Sequence, residues 1–456
     1  MISLINPDAP VEVVKKLGIS TPPLGLGYLA SVLRKSGFRV RILDNAVENL
    51  SIDEIIKKVK DSFIVGITST TPTFSSALRY ACAIKERLPH IFVILGGVHV
   101  SFRPYDAFPC VDAVCIGEGE RTIVEVAERV EGDESLNGVE GVFYKDAKDS
   151  TKVVANLPRG RIENLDSIPF PAYDLMPLEK YTLLGKRLNN FPMITSRGCP
   201  FKCRYCSSSL FMGHKFRMRS ADNVVDEIEW LVEDFGAKHI AFGDDTFTFN
   251  KKRVEEICDK IVRRKLDISW SCSSRVDTIN VGMLKSMKRA GCSAIYYGVE
   301  SVSEKVLNYY KKKIKLEQVK RAVEITKKIG ILTICSFIIG APFETKKDMK
   351  DTLKFALELD PDYAQFSILT PYPGTDIYNE AKKNGLLLTE NFDEYTAGKP
   401  ILKNQFLSPT EISRFLKYCY LRFYLRPKFL WREIKNGRIS VALDVVKRSL
   451  LGRTQE

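Results

Sequence analysis

No stretch of this chain offers the ~20 uninterrupted apolar residues that span a bilayer. Its first residues, MISLINPDAP, lack the basic segment and apolar run of a secretory leader, so the expected location is the cytoplasm. There is no zinc-finger spacing, no ribonucleoprotein aromatic signature and no basic arm, which leaves nucleic acid without a recognisable reader. No internal repeat or low-complexity tract is evident either, so solenoid and disordered classes fall away. What is there is ordinary for a globular chain: 456 residues, 45% apolar and 27% charged, enough for two or three domains. The net charge of +13 is compatible with a solvated lysine-rich surface, an anionic membrane surface or an acidic redox partner, and assigns none of them by itself.

Eleven cysteines in a cytosolic chain do not read as a disulfide framework, because such compartments keep thiols reduced. Scattered ones are expected to be small core residues, and only clustered ones call for chemistry.

The first ~130 residues alternate short β-branched runs with helical patterns, as a parallel sheet with crossover helices does. Strands are expected at 2–5, 39–43, 63–68, 92–95 and 113–116, with helices starting near Leu24, Ile52, Thr73, Phe102 and Glu120. The pattern is flavodoxin-like, and in such a sheet a ligand sits beyond the carboxyl ends of the strands. Four glycine- or hydroxyl-rich segments fall there: Asn6-Pro7, then Thr68-Ser69-Thr70, then Gly96-Gly97-Val98-His99, then Gly117-Glu118-Gly119-Glu120. Each alone reads as a turn. Together they suggest a binding rim, where glycines admit a ligand close to the backbone and hydroxyls hydrogen-bond to it.

Residues 137–186 lose the alternation and contain Pro158, Pro169 and Pro171, so they read as a linker with one hairpin. A second β/α series follows at 187–388, with strands near 193–195, 240–242, 268–272, 294–298, 333–339 and 364–369 and helices over 224–235, 254–263 and 316–329. Six such units predict a partial (β/α)6 barrel of the TIM type. The remaining segment, 389–456, contains LKYCYLRFYLRPKFLWREIKNG, where aromatic and basic residues interleave. It reads as a helical cover packed on the barrel. The alternative is an interfacial helix that lays Phe415, Leu416, Tyr420, Phe423 and Tyr424 in lipid and meets anionic head groups with Lys417, Arg422, Arg426 and Lys428.

Cys199, Cys203 and Cys206 form a C-x3-C-x2-C cluster directly after the first strand of the second series. Three thiolates on one short loop can hold three irons of a [4Fe-4S] cluster and leave the fourth iron open. Zinc held by the same cysteines with His214 is the competing metal reading. Core cysteines are the third, disfavoured because Pro200, Lys202 and Arg204 interleave the thiols.

The segment SRGCPFKCRYC resembles the signature loop of radical S-adenosylmethionine (SAM) enzymes. The N-terminal TPPLGLGYLASVLRKSGFRVRILDN and LGGVHVSFRP are similar to the cobalamin-binding domains that precede such barrels, in a family that includes methyltransferases and the anaerobic porphyrin cyclase. The resemblance implies a cobalamin-binding domain over 1–136, a radical SAM barrel over 187–388, and [4Fe-4S], SAM and cobalamin as cofactors. It implies SAM contacts at Asp244 and Asp245, where GDD departs from the usual Gly-Gly-Glu. Others are Arg275 for the SAM carboxylate with Asp277 beside it, Glu300 and Ser301 for the ribose, and Gly340 at the adenine-side turn. It implies cobalamin contacts at Asn6, Thr68, Ser69, Thr70, Gly96, Gly97, His99, Gly117 and Glu118. Residue by residue the bland readings stand beside these: Asp245 as a helix cap, or Arg275 and Asp277 as a barrel-end ion pair.

One departure bears on mechanism. The D-x-H-x-x-G signature that supplies histidine to cobalt in another cobalamin class is absent, and only His90, His99, His214 and His239 exist. Cobalamin is therefore expected with its own base detached and no histidine on the metal. The expected reaction is radical methylation of an unactivated carbon of a small-molecule or lipid substrate, with electrons from a low-potential donor such as ferredoxin or flavodoxin. The alternatives are cobalamin-dependent cyclisation or other carbon–carbon bond formation, a non-catalytic cobalamin-binding protein, and a zinc-stabilised interaction protein.

Overall fold

The structure is a computed structural model that describes residues 1–8, 20–146, 149, 152–183, 186–187 and 189–435. Five parallel strands build the first sheet: β1 (Ile2–Asn6), β2 (Val40–Asp44), β3 (Ile64–Thr68), β4 (Phe92–Gly96) and β5 (Ala113–Cys115). Their order is β2-β1-β3-β4-β5, so the winding reverses between β1 and β3, as the flavodoxin-like pattern requires. Helices Leu24–Lys35, Ile52–Val59, Phe74–Arg87 and Glu120–Glu131 provide the crossovers. The helix expected to begin at Phe102 instead ends there. It is one short helix, Val98–Phe102, followed by a 3-10 turn at Pro104–Ala107, because Pro104 keeps Arg103 out of helical geometry (φ −136°, ψ 59°).

The supposed linker has structural duties. Its hairpin, β6 (Val142–Lys145) and β7 (Val153–Ala155), pairs antiparallel with β5 and carries the sheet to seven strands. Beyond it, Tyr173 is fully buried against Phe191, Trp230 and Phe235 of the barrel. The same stretch presses on helix Leu24–Lys35 so closely that a Cβ on Gly27 would lie 2.5 Å from the Met176 methyl. One continuous apolar core thus runs from the first sheet into the second.

The second sheet has six parallel strands in sequence order: Asn190–Met193, His239–Phe242, Ser269–Ser274, Cys292–Glu300, Leu332–Ile339 and Tyr363–Ile368. Alternation sorts their side chains. In Leu332–Ile339, Thr333, Cys335, Phe337 and Ile339 are buried, while Ile334 and Ser336 face the barrel lumen. The first strand ends at Met193, two residues before its expected end at 195. Thr195 turns its backbone N–H toward Asp244 (2.6 Å) and leaves the ladder.

The C-terminal helix Pro409–Tyr424 starts on a capping box, with Ser408 and Glu411 satisfying each other's backbone N–H. Tyr420 and Tyr424, one turn apart, meet residues two apart on the edge strand. The Tyr424 hydroxyl donates to the Ala364 carbonyl (2.7 Å) and accepts from its N–H (3.2 Å); Tyr420 does the same at Phe366 (2.9 and 3.2 Å). Two phenols thereby take the place of a seventh strand on an open sheet edge. This is the cover reading, and it corrects the lipid-facing one. Phe415, Phe423 and Tyr424 are buried and Tyr420 is committed to the edge, so that aromatic face is not available to a membrane. Among the described residues no helix is long and apolar enough to cross a membrane. The part of the expected tail beyond Lys435 lies outside the described residues.

Six of the scattered cysteines, Cys115, Cys258, Cys272, Cys292, Cys335 and Cys419, are buried core residues. Cys82 and Cys110 are not: they form a disulfide, because the turn after Pro104–Ala107 folds back on helix Phe74–Arg87 and brings their Cα atoms to 4.6 Å.

Removing the Tyr424 hydroxyl leaves two buried backbone groups of Ala364 unpaired. Tyr424→Phe should lower stability by about 1–3 kcal/mol in denaturant unfolding; an unchanged midpoint would show that the edge is satisfied some other way.

Candidate active site

Two cavities, each of about 300 Å³, open at the carboxyl ends of the two sheets. The barrel cavity is built on the loop that follows the first barrel strand. Its base is a two-stranded antiparallel ribbon, Ser196–Arg197 with Arg217–Met218. Gly198 then turns with φ +87°, and any Cβ there would lie 2.3 Å from the Lys215 carbonyl oxygen, so only glycine fits. Cys199 donates its N–H to Gly213 (3.0 Å), and Arg204 to Tyr310 (3.0 Å), which fixes both flanks of the loop. All three thiols, Cys199, Cys203 and Cys206, line the cavity and are half-buried. Burial pushes each thiol up, while the cations of Lys312 and Arg275 pull Cys203 back toward the thiolate.

Of the seven residues expected to meet SAM, three share this cavity with the thiols: Asp245, Arg275 and Glu300. Asp245 accepts from the Ser208 hydroxyl, and burial raises its pKa. Arg275 is held by Asp277 through two bonds (2.9 and 2.8 Å), and its guanidinium stacks 3.6 Å from the Phe201 ring centre. Glu300 sits in the left-handed region (φ +69°) and accepts from Tyr205 (3.0 Å), Lys312 (2.9 Å) and Ser336 (3.3 Å). Strain of this kind in a non-glycine residue costs about 1–3 kcal/mol and collects at functional sites.

The other four lie elsewhere. Asp244 is buried and spends its carboxylate on the Thr195 N–H and on the Thr195 and Ser196 hydroxyls, tying the first two barrel strands. Asp277 is the ion-pair partner of Arg275, as the bland reading had it. Ser301 is fully buried and accepts from the Ser303 N–H (3.2 Å). Gly340 (φ +86°) and Ala341 donate their N–H groups to Glu344 (2.6 and 3.0 Å), whose carboxyl burial pushes up to about 7.

Lys312 is the residue that the sequence does not disclose. It is 6% exposed, lines the thiol cavity, and is flanked by Lys311 (φ 51°) and Lys313 (φ 50°). Three consecutive lysines look like a solvated run; only the two left-handed neighbours turn the middle one inward.

The N-terminal cavity runs from the β1/β3 switch point along the face covered by helix Leu24–Lys35. Thr68, Ser69, Thr70, Gly96, Gly97, Gly117 and Glu118 line it, with Leu4, Leu26, Gly66, Ile94 and Glu120, and with Ile194, Arg197, Phe211 and Met212 from the barrel side. Glycine shapes it in two ways. Gly97 (φ +103°) lets two strand ends approach, since a Cβ there would lie 2.4 Å from the Ser69 carbonyl oxygen. At Gly25 and Gly117 a Cβ would meet nothing within 4 Å, so their missing side chains leave the hollow open.

Two of the expected contacts do not line it. Asn6 donates to Asp44 (2.7 Å) and ties β1 to β2. His99 is buried behind the rim, stacked on Phe74 (4.1 Å) and edge-on to Phe392 (4.7 Å), and burial lowers its pKa to about 4. Its aromatic packing against Phe392, nearly three hundred positions away, has no local sequence signal.

The residues fit the groups that the family pattern implies. Three soft thiols spread around one hollow suit a cluster, in which each sulfur meets its own iron. Among the described residues no group of three or more His, Cys, Asp or Glu side chains converges on a single ion. His214 does not line the cavity and sits 3.3 Å from the Cys199 carbonyl, so the mononuclear zinc reading loses its fourth ligand. The second hollow, apolar with a rim of glycines and hydroxyls, suits a large ligand with a flat apolar part and a polar edge.

A doubly wound sheet and a partial barrel, with a three-cysteine loop at their junction, define a radical SAM enzyme with a cobalamin domain ahead of it. Comparison with known proteins agrees. Residues 193–356 match the radical SAM superfamily, and residues 11–127 the B12 binding domain. The chain is 43% identical to an uncharacterized methyltransferase of Pyrococcus horikoshii, over 95% of this chain and 94% of that one. It is 32% identical to the anaerobic magnesium-protoporphyrin IX monomethyl ester cyclase of Rubrivivax gelatinosus, over 90% and 75%. Among solved structures, the cobalamin-dependent SAM radical enzyme OxsB, with aqua-cobalamin and SAM bound, superposes with a TM-score of 0.76 at 19% identity, covering 97% of this chain and 71% of that one. The methyltransferase TsrM of Kitasatospora setae, with tryptophan and a SAM analogue bound, gives 0.72 at 19%, covering 91% and 82%. The chain belongs to the B12-binding radical SAM enzymes, and its cofactors are a [4Fe-4S] cluster, SAM and cobalamin.

Gly25→Leu offers a clean test of the N-terminal cavity. A Cβ at Gly25 meets no protein atom within 4 Å, and leucine is a better helix former than glycine by about 1 kcal/mol. The variant should unfold no earlier than the parent and lose hydroxocobalamin binding; unchanged binding would place cobalamin elsewhere.

Proposed function

We propose that this enzyme methylates an unactivated carbon of a small-molecule substrate. The observation that carries the reading is the junction itself: three thiols, a buried lysine and a strained glutamate share one cavity, and a glycine-rimmed apolar cavity opens beside it. The relative at 43% identity, named as a methyltransferase, supports it. When bound, the cluster and SAM supply an adenosyl radical that removes a hydrogen atom, and cobalamin supplies the methyl group.

The chain's own residues divide the remaining work. Cys199, Cys203 and Cys206 would hold three irons. Lys312 and Arg275 are buried cations that would meet a SAM carboxylate; Asp277 and Phe201 hold Arg275, and Glu300 and Tyr205 hold Lys312. Glu300 offers acceptors to ribose hydroxyls, and Asp245 to an ammonium. Asp244, Asp277, Ser301 and Gly340 support these groups from behind rather than touching SAM. Across the junction, Thr68, Ser69, Thr70, Gly96, Gly97, Gly117 and Glu118 form the cobalamin rim. The slot between Leu4, Gly66 and Ile94 would take the cofactor's nucleotide base. Asn6 and His99 would brace the rim from behind, since neither lines the cavity.

By this reading residues 1–136 with the hairpin at 142–155 form the cobalamin unit, 187–388 the barrel, and 389–435 its cover. We place the enzyme in the cytoplasm, with a low-potential donor such as ferredoxin or flavodoxin supplying electrons.

The test is anaerobic turnover with methyl-labelled SAM, strong reductant and cell extract, read by mass spectrometry. The expected result is a labelled methyl group in a new product together with 5′-deoxyadenosine, and loss of both in Cys203→Ala. SAM cleavage with no label transferred would instead favour cyclisation, and no cleavage at all would favour a binding protein.

A further inference from the structure

The ribbon that carries the cysteine loop pairs Arg197 directly with Arg217. Two like charges opposite each other on neighbouring strands repel, and these are 6% and 1% exposed, so water screens neither. Their counter-charges come from the other sheet. Glu118, 5% exposed, accepts from Arg197 (3.2 Å) and Arg217 (2.9 Å), and its second duty is the Ile162 N–H (2.8 Å). Glu120, 8% exposed, pairs with the other arm of Arg197. Glu118 lies in the loop after β5, and Glu120 opens helix Glu120–Glu131.

This network borders both sites. Glu118, Glu120 and Arg197 line the N-terminal cavity, whereas Arg197 is followed by Gly198, whose geometry admits no side chain, and then by Cys199. The connection therefore has no slack. Glu120 Oε2 is moreover buried without a hydrogen-bond partner, an acceptor left over for the polar edge of whatever fills that cavity. A ligand that engages it would pull on the carboxylate that holds one arm of Arg197, whose other arm shares Glu118 with Arg217.

We infer that Glu118, Glu120, Arg197 and Arg217 couple the two cofactor cavities, so that occupancy of the cobalamin cavity sets the position of the cysteine loop. Arg197 and Arg217 are positioning residues, acting on SAM through the ribbon. The inference rests on the reading above, in which cobalamin fills one cavity and the cluster with SAM the other. Coupling of this kind is reciprocal: each ligand changes the affinity of the other by the same factor.

The experiment measures hydroxocobalamin affinity with and without saturating SAM, and SAM affinity with and without hydroxocobalamin, on the anaerobically reconstituted full chain. The parent should show one shared factor of about tenfold, within the usual range for coupled sites. In Arg217→Lys, which lines neither cavity and loses the fork to Glu118, with iron content and thermal midpoint measured alongside, both ligands should still bind but the factor should fall toward one. Arg197→Lys, which keeps one charge and loses the fork, should give an intermediate value and decides the matter if Arg217→Lys does not fold. Independent binding in the parent, or an undiminished factor in these variants, overturns the coupling while leaving the function intact. Absence of hydroxocobalamin or SAM binding in the parent overturns both.

Discussion

Two arginines facing each other across a buried ribbon impose the constraint on which the site depends. Neither can be held there without a carboxylate, and the carboxylates arrive from a different sheet. Breaking a buried ionic contact of this sort costs about 3–5 kcal/mol, because the partner stays charged and unpaired. An apolar replacement would pack as stably. What the ions add is a single register between the two sheets, since Glu118 meets both guanidiniums only when the β5 loop and the cysteine loop are correctly opposed.

That register brings two rules of parallel sheets to one place. Each sheet offers its ligand site beyond the carboxyl ends of its strands, and the ionic contact turns those ends toward each other. The barrel end supplies thiols and buried cations, and the flavodoxin-like end supplies glycines, hydroxyls and an apolar slot. Bringing two large cofactors together needs such an apposition, and neither sheet could provide it alone.

Much of this architecture is legible in local sequence patterns. The alternation of short strand-like runs with helical patterns locates every parallel strand of both sheets to within a few residues, and the cysteine spacing locates the loop. Positions decided by long-range packing are not legible. The glycines beside His99 suggest the cavity for it, but Phe74 and Phe392 hold it behind the rim. Asp244 and Asp245 are adjacent in sequence, yet the turn that follows strand His239–Phe242 sends one to brace Thr195 and only the other to the cavity. A lysine run conceals Lys312, and Tyr420 and Tyr424 carry no sign that their hydroxyls finish a sheet edge. The Cys82–Cys110 bridge escapes a sequence reading because compartment argues against disulfides while local geometry allows this one.

If one chain holds both cofactors at one junction, anaerobic reconstitution followed by iron, sulfide and cobalamin analysis should give four irons and one cobalamin per chain. Uptake of one zinc in place of iron, or of a cluster with no cobalamin at any concentration, would refute that arrangement.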